Sequence, residues 1–154
     1  MKMYPKIGLF VLFTVAMAFA AQALSPITVA LGPRDFPEDD SVTVVEVLSD
    51  SPGLEPGGRV RVRGRYILGS RDRARIGLSQ TRTQSRAPVP IFPGSGMDIS
   101  KGSGEFELVY EVTQIGCMRV ALNNLDGGPS FGTMYFGTPD QLASVKREVR
   151  GWIK

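Results

Sequence analysis

Hydrophobic and polar residues alternate along much of the chain, which is the pattern of half-buried β-strands. Residues 41–48 are rich in valine and predict a first strand. Residues 49–58 contain the turn-forming sequences Ser-Pro-Gly and Pro-Gly-Gly. From residue 59 to residue 66 the alternation is strict, with valine, glycine and tyrosine on one face and arginine at every position between them. This segment predicts a second strand with an apolar face and an arginine face.

The next segment predicts the second arm of a hairpin. Residues 69–72, Gly-Ser-Arg-Asp, have the composition of a turn, and Ala74, Ile76 and Leu78 then alternate with polar or small residues. Prolines interrupt residues 82–101, so we expect this stretch to be irregular, with at most a short edge strand near residues 89–92.

Three further segments follow the strand pattern. Residues 105–112 place apolar side chains on one face and glutamates on the other, and residues 131–136 predict the last strand after a turn at residues 126–129. Between them, residues 117–122 predict a strand with alternating side chains. Those of Met118, Val120 and Leu122 are expected to point inward, and those of Cys117, Arg119 and Ala121 outward.

The C-terminal residues change to a helical period. Thr138 is placed as an N-cap, Pro139 as the first helical residue, and Gln141 completes a capping box. We therefore predict a short helix at about residues 139–150. Its apolar stripe is expected to dock on the strands through Leu142, Val145, Val149 and Trp152.

About seven short strands separated by turn signals are typical of an antiparallel β-sandwich. The sequence Glu-Pro-Gly-Gly-Arg-Val-Arg-Val at residues 55–62 resembles the entry to the second strand of bacterial exported immunoglobulin-like modules of the cell-adhesion-related type. The expected fold is therefore mainly β, an immunoglobulin-like sandwich of about seven strands over residues 24–154, with a short C-terminal helix.

The N-terminal residues have the three parts of a secretory signal peptide. Lys2 and Lys6 give a positive start, residues 7–20 form an apolar core, and residues 21–23, Ala-Gln-Ala, are a cleavage sequence. The apolar core is short for a membrane span, which disfavours the alternative of an uncleaved anchor. We expect residues 1–23 to be removed after Ala23, or after Ala20, leaving a periplasmic or secreted protein without a transmembrane anchor.

The composition disfavours an enzyme. The chain has no histidine, so nucleophile–histidine triads and histidine zinc sites cannot be built. Cys117 is the only cysteine, and whether it pairs with another chain stays open. The acidic residues at positions 35–40 lack the spacing of a calcium loop and predict a solvated loop. We predict no catalytic residues, no metal and no cofactor.

The charge is distributed unevenly around a net value of +3. Residues 24–58 hold seven acidic residues against Arg34, whereas residues 59–86 hold nine arginines against Asp72. Like charges that face each other on neighbouring strands are destabilising, so these arginines need counter-charges.

One source of counter-charge is internal. In an immunoglobulin-like sheet the second strand pairs with the fifth, which would bring the first arginines opposite a row of glutamates. The residues of this structural ladder are Arg59, Arg61, Arg63 and Arg65 with Glu105, Glu107 and Glu111.

The other source is an anionic partner, because the guanidinium fork suits carboxylate and phosphate. The arginines that lie outside the structural ladder have fewer carboxylates nearby. They are the predicted anion- or partner-binding residues: Arg71, Arg73, Arg75, Arg82 and Arg86. Nucleic acid is disfavoured because Tyr66 is the only aromatic residue among the arginines and because the chain is expected to be exported.

These observations favour a non-enzymatic exported binding module that contacts a protein partner or an anionic envelope component such as a polysaccharide. The alternative is a structural or accessory subunit without a ligand, whose arginines are neutralised internally. Such a subunit would be held by pairing at a sheet edge near Val89.

Overall fold

The computed structural model describes residues 23–81 and 92–143. Within these residues the chain forms seven strands and one short helix, α1, at residues 139–143. The strands are β1 (Ser25–Pro26), β2 (Ala30–Asp35), β3 (Ser41–Ser49), β4 (Arg59–Gln80), β5 (Gly96–Glu111), β6 (Met118–Asn123) and β7 (Gly132–Gly137).

The seven strands form one antiparallel sheet that curls into a half-barrel. The order across the sheet is β1, β3, β4, β6, β7 and β2, and β5 pairs with β4 outside this path. The prediction of a mainly β, antiparallel fold with about seven strands is confirmed. The centre of the sheet is β4, which pairs with β3, β5 and β6.

β4 is a single strand of 22 residues, so the hairpin predicted within it is wrong. The register between β4 and β5 instead shifts between Leu68 and Arg73, which marks a bulge. Asp40 holds this bulge, because its Oδ1 accepts hydrogen bonds from the amides of Gly69 and Ser70 at 2.9 and 3.0 Å. Its Oδ2 accepts a third from the Ser70 hydroxyl at 2.5 Å. The turn-like composition therefore belongs to a bulge and not to a chain reversal.

β5 begins earlier than the sequence predicts. Residues 96–101 belong to the strand, although we expected the whole of residues 82–101 to be irregular. The prolines that suggested irregularity end at Pro93, before Gly96 pairs with Gly77 of β4. Residues 82–91, which include Val89 and most of the predicted edge strand, lie outside the described residues.

The core lies against one face of the sheet, and the alternation of β4 decides which side chains enter it. The even-numbered apolar residues of β4 are buried and pack against those of β5, β6 and β7. Full burial of one such aliphatic side chain contributes about 1.5–3 kcal/mol. The fully buried residues of β4 and β5 include Val60, Val62, Leu68, Ala74, Ile76 and Leu108.

Two glycine–aromatic pairs join β4 to β5. Gly64 lies opposite Phe106, and Tyr66 lies opposite Gly104. A Cβ on Gly64 would lie 2.5 Å from Phe106 Cζ, and a Cβ on Gly104 would lie 2.6 Å from the Tyr66 hydroxyl oxygen. Each ring therefore occupies the space that a side chain on the facing strand would need.

The predicted outward orientation of Cys117 and Ala121 is wrong. Both side chains are buried, at 0% and 4% exposure, whereas Arg119 between them is half-buried. Cys117 packs with Leu142 of α1. The helix therefore covers the Cys117 end of the face of β6 that was predicted to point outward. A strand whose two faces are both covered does not follow a strict apolar and polar alternation.

α1 begins at Pro139, and the predicted capping box is present. The Thr138 amide donates to Gln141 Oε1 at 3.0 Å, and the Gln141 amide donates to Thr138 Oγ1 at 3.3 Å. The Gln141 side-chain amide also donates to the Gly53 carbonyl at 3.1 Å, which ties the helix to the loop before β4. The remaining residues of the predicted helical stripe, Val145, Val149 and Trp152, lie outside the described residues.

The predicted signal peptide falls on residues 1–23, of which only Ala23 is described. Its cleavage therefore stays a prediction. Among the described residues, no helix is long and apolar enough to cross a membrane.

Candidate functional site

The arginines of β4 share the face of the strand that lies opposite the core. All of them occupy odd-numbered positions, and their side chains are exposed or half-exposed. The even-numbered neighbours of Arg61, Arg63 and Arg75 are buried, whereas those of Arg71, Ser70 and Asp72, are exposed. We call this the outer face of the sheet. Its arginines are Arg59, Arg61, Arg63, Arg65, Arg71, Arg73 and Arg75.

Arg63 is the centre of an ion-pair network that joins three strands. It lies opposite Glu107 of β5, and its Nε donates to Glu107 Oε2 at 2.6 Å. Its Nη1 lies 3.3 Å from Glu46 Oε2 on β3. The sequence did not point to Glu46 as a partner, because nothing in the alternation fixes the register between β3 and β4.

Weaker contacts extend the network in both directions. Arg61 Nε lies 3.6 Å from Glu107 Oε1, and Arg65 Nε lies 3.4 Å from Glu105 Oε1. Arg59 lies opposite Glu111, but no ion pair of the described residues joins their side chains. The four arginines between residues 59 and 65 therefore face four glutamates, three on β5 and Glu46 on β3.

The network keeps Glu107 ionised. The hydrogen bond from Arg63 lowers the pKa of Glu107, partial burial opposes this effect, and the charges of Arg63 and Arg61 add to the lowering. Because the side chains of Arg63 and Glu107 remain 49% and 46% exposed, water screens their attraction. The network therefore cancels the charge of this half of the outer face more than it stabilises the fold.

Beyond the bulge the balance is different. Arg75 Nη1 lies 3.4 Å from Asp98 Oδ1. Among the described residues, this is the one ion pair formed by an arginine of β4 beyond the bulge. Arg73 lies opposite Ser100, which carries no charge. Arg71 stacks on the Phe131 ring with its guanidinium carbon 3.9 Å from the ring centroid, a cation–π contact.

Arg71 also donates from Nη1 to Asn124 Oδ1, and its positive charge contributes to lowering the pKa of Asp40. Arg71, Arg73 and Arg75 thus outnumber the two carboxylates that interact with them, Asp98 and Asp40, whereas the arginines at 59–65 face four glutamates. The remaining predicted partner-binding residues, Arg82 and Arg86, lie outside the described residues.

Arg119 of β6 is a further cation that the sequence analysis did not select. It lies opposite Ser79 of β4, and its Nη2 donates to the Ser130 hydroxyl. Its Nε is buried and has no hydrogen-bond partner among the described residues. The alternation predicted the face of β6 on which Arg119 lies. It did not predict the residues around Arg119, because these depend on the register of β6 against β4.

The acidic residues at positions 35–40 are not brought together as a ligand set. Asp40 is 5% exposed and holds the bulge of β4, as described above. Burial would raise the pKa of Asp40, but hydrogen bonds from the Ser70 side chain and from the Ser70 and Gly69 amides, together with the charge of Arg71, hold it below its usual value. Within residues 23–81 and 92–143, no three acidic, cysteine or histidine side chains converge on a metal position.

The chain matches no family model, and no curated protein or solved structure matches it. Evidence about function therefore comes from the outer face itself. Guanidinium groups that outnumber the carboxylates around them on a sheet, as those of Arg71, Arg73 and Arg75 outnumber Asp98 and Asp40, are suited to binding anions by paired hydrogen bonds.

Proposed function

We propose that this protein is an exported, non-enzymatic binding module that holds an anionic envelope component, such as an acidic polysaccharide, on its outer face around Arg71, Arg73 and Arg75. The observation that supports this function is the contrast between the two halves of β4. Three glutamates form ion pairs with Arg61, Arg63 and Arg65, whereas among the described residues Asp98 alone forms an ion pair with an arginine beyond the bulge, Arg75.

Export is part of the proposal and is supported by the sequence of residues 1–23. A module that binds an envelope polymer needs a signal peptide, and cleavage after Ala23 or after Ala20 would release it to the periplasm or the medium. Arg82 and Arg86 follow β4 in the sequence and belong to the proposal as two further positive charges.

We also infer that the curled sheet is related to an immunoglobulin-like sandwich. β4 pairs with β3 before its bulge and with β6 after it. Strands at the corners of sandwiches change sheets through bulges of this kind. This change of partner along β4 supports a sandwich. The pairing of the arginine-bearing β4 with the glutamate-bearing β5 also matches the pairing expected in an immunoglobulin-like sheet.

The second candidate function is an accessory subunit held by β-edge pairing. The observation that favours it is the edge of β3. β1 pairs with Leu48 and Ser49, and the Ile27 amide donates to the Val47 carbonyl, but among the described residues no strand pairs with residues 41–46 on that side. Val45 on this edge is 63% exposed. An open edge with an exposed apolar side chain is a template for a strand of another chain.

The test is retention of the protein on an immobilised acidic polysaccharide over a series of salt concentrations, beside a neutral matrix of the same polymer type. Lys2 and Lys6 carry two of the +3 charges, so the chain cleaved after Ala23 has a net charge of +1. Strong retention therefore requires a local cluster of cations. We expect the logarithm of the retention to fall linearly with the logarithm of the salt concentration. Equal retention on the neutral matrix would contradict the proposal and favour the accessory subunit.

A further inference from the structure

A row of small residues crosses the outer face of the sheet near the end of β4. Gly77 lies opposite Gly96 on β5 and opposite Ala121 on β6, so three neighbouring strands lack a large side chain at the same level. The groove above this row has a volume of about 600 Å³. We call it the furrow, and its floor is formed by Gly77, Gly96 and Ala121.

Larger side chains flank the furrow, because they stand two positions away along the same strands. Arg75 of β4 and Asn123 of β6 line one side, and Ser79 and Arg119 line the other. The lining also includes Phe92, whose ring packs edge-on against Tyr110 with the ring centroids 4.9 Å apart.

The two arginines give the furrow its chemistry. Arg119 is half-buried, its Nη2 donates to the Ser130 hydroxyl, and its buried Nε has no hydrogen-bond partner among the described residues, which leaves Nη1 as the donor for a ligand. Arg75 uses Nη1 for Asp98, and its Nε lies 2.9 Å from the position that a Cβ on Gly96 would take. The Arg75 side chain therefore reaches over the floor, with donors left for a ligand.

The polar and apolar parts of the lining match a sugar that carries an acid group. A guanidinium group binds a carboxylate, an amide and a hydroxyl bind sugar hydroxyls, and an aromatic ring with a flat glycine floor packs against the C–H face of the sugar. A peptide fits less well. Gly77 is paired on both sides, by β5 and by β6, so its backbone is not available to an added strand.

We propose that the furrow binds one carboxylate-bearing sugar unit of an acidic polysaccharide, with the carboxylate at Arg119 and the sugar ring on the floor of Gly77 and Ala121. This inference rests on the proposed function and names the ligand class and a second site for it. The arginines beyond the bulge attract the polymer, and the furrow selects the sugar unit.

The test is isothermal titration calorimetry of the protein, expressed from its full chain, with a tetrasaccharide of galacturonic acid. The fully methyl-esterified tetrasaccharide is the matched neutral probe. We expect saturable binding of the acid and at least tenfold weaker binding of the ester. Equal binding of both, or binding of neither, would overturn the inference. Tighter binding of a sulfated tetrasaccharide would overturn the assignment to a carboxylate, and binding of an acidic octapeptide alone would overturn the assignment to a sugar.

Two variants locate the site. We expect Arg119→Gln to weaken binding of the acid about tenfold and Gly77→Ala to weaken it at least threefold. Gly77 has no positive φ, and a Cβ there would lie 3.4 Å from Asn123 Nδ2, so alanine fits without strain and we expect the variant to fold, which its thermal unfolding checks. Arg34→Gln, at an exposed position of β2, is the charge-matched control and should change binding less than twofold. Equal effects of Arg34→Gln and Arg119→Gln would contradict the assignment.

The same variants separate this inference from the proposed function. Gly77→Ala removes no charge, so the slope of the logarithm of its retention against the logarithm of the salt concentration should equal that of the wild type. If the wild type is retained but binds no tetrasaccharide, the furrow site is wrong and the proposed function stands. If the wild type is not retained, the proposed function fails as well.

Discussion

Arg63 and Glu107 lie directly opposite each other on β4 and β5, and their side chains form an ion pair of 2.6 Å between Nε and Oε2. This pair decides which arginines are available to a partner. Because Glu107 also attracts Arg61, and Glu46 attracts Arg63 from β3, the first half of the outer face is neutral. The positive charge of β4 is thereby confined to the residues beyond the bulge.

The ion pair is exposed, so its removal should have a small effect on stability. We expect Glu107→Gln to lower the Tm by only a few degrees at low salt. The difference from the wild type should nearly vanish in 1 M salt, because salt screens exposed charges. Thermal unfolding followed by circular dichroism at both salt concentrations measures this. A large fall in Tm that persists at high salt would contradict the interpretation.

Replacing Asp40 should lower the stability of the fold more than replacing Glu107, because Asp40 is buried and accepts the hydrogen bonds that hold the bulge. Asp40→Asn weakens three hydrogen bonds to a charged acceptor, and we expect a loss of about 2 kcal/mol in the free energy of unfolding at pH 7. The neighbouring Asp39 is exposed and is the matched control. Urea unfolding of Asp40→Asn and Asp39→Asn measures the difference, and equal losses would show that the bulge does not depend on Asp40.

The same carboxylate predicts a pH dependence. Its folded-state pKa lies below the ordinary value of 3.8, so the folded protein holds the ionised form more tightly than the unfolded chain does. The stability from Asp40 is therefore fully present above about pH 5 and is lost as the pH falls through the folded-state pKa. Urea unfolding between pH 6 and pH 2.5 should show a smaller acid loss in Asp40→Asn than in the wild type. Parallel curves would contradict this assignment.

Gly64 tests the close contact between the two central strands. A Cβ at this position would lie 2.3 Å from the Thr43 carbonyl oxygen and 2.5 Å from the Phe106 ring, and neither can move freely within the sheet. We expect Gly64→Ala to cost about 3 kcal/mol or to prevent folding. Gly77→Ala, on the same strand with its nearest contact at 3.4 Å, should leave stability unchanged. Similar unfolding midpoints for the two variants would contradict the register of β4 and β5.

Cys117 should be unreactive in the folded protein. Its side chain is fully buried and packs with Leu142 of α1. We expect a thiol reagent to modify it at least a hundredfold more slowly in buffer than in denaturant. Fast modification in buffer would mean that α1 does not cover this end of β6. It would also make pairing with another chain a realistic role for this cysteine.

The sequence predicted the faces of the strands better than their neighbours. Strict alternation in residues 59–66 identified the side chains that enter the core, because β4 has one buried and one solvated face. It could not distinguish a hairpin from a bulge at residues 69–72. A bulge forms because Asp40, which lies about thirty residues earlier, accepts hydrogen bonds from the bulged amides.

The candidate site was partly predictable for the same reason. The arginines and glutamates were visible as charged positions of alternating strands, and the register brings Arg63 opposite Glu107. The furrow was not visible, because Gly77, Gly96 and Ala121 are far apart in the sequence and meet only through the registers of three strands. Local patterns do not encode such registers.

The central claim is that anion binding belongs to the arginines beyond the bulge, and two charge-matched triple variants test it directly. Arg71→Gln, Arg73→Gln and Arg75→Gln remove three charges from that half of β4, and Arg61→Gln, Arg63→Gln and Arg65→Gln remove three from the other. The measurement is the salt concentration that elutes each variant from the immobilised acidic polysaccharide. We predict that the first variant elutes at far lower salt than the wild type and that the second elutes much closer to it. Equal shifts would contradict the claim, since binding would then follow net charge alone.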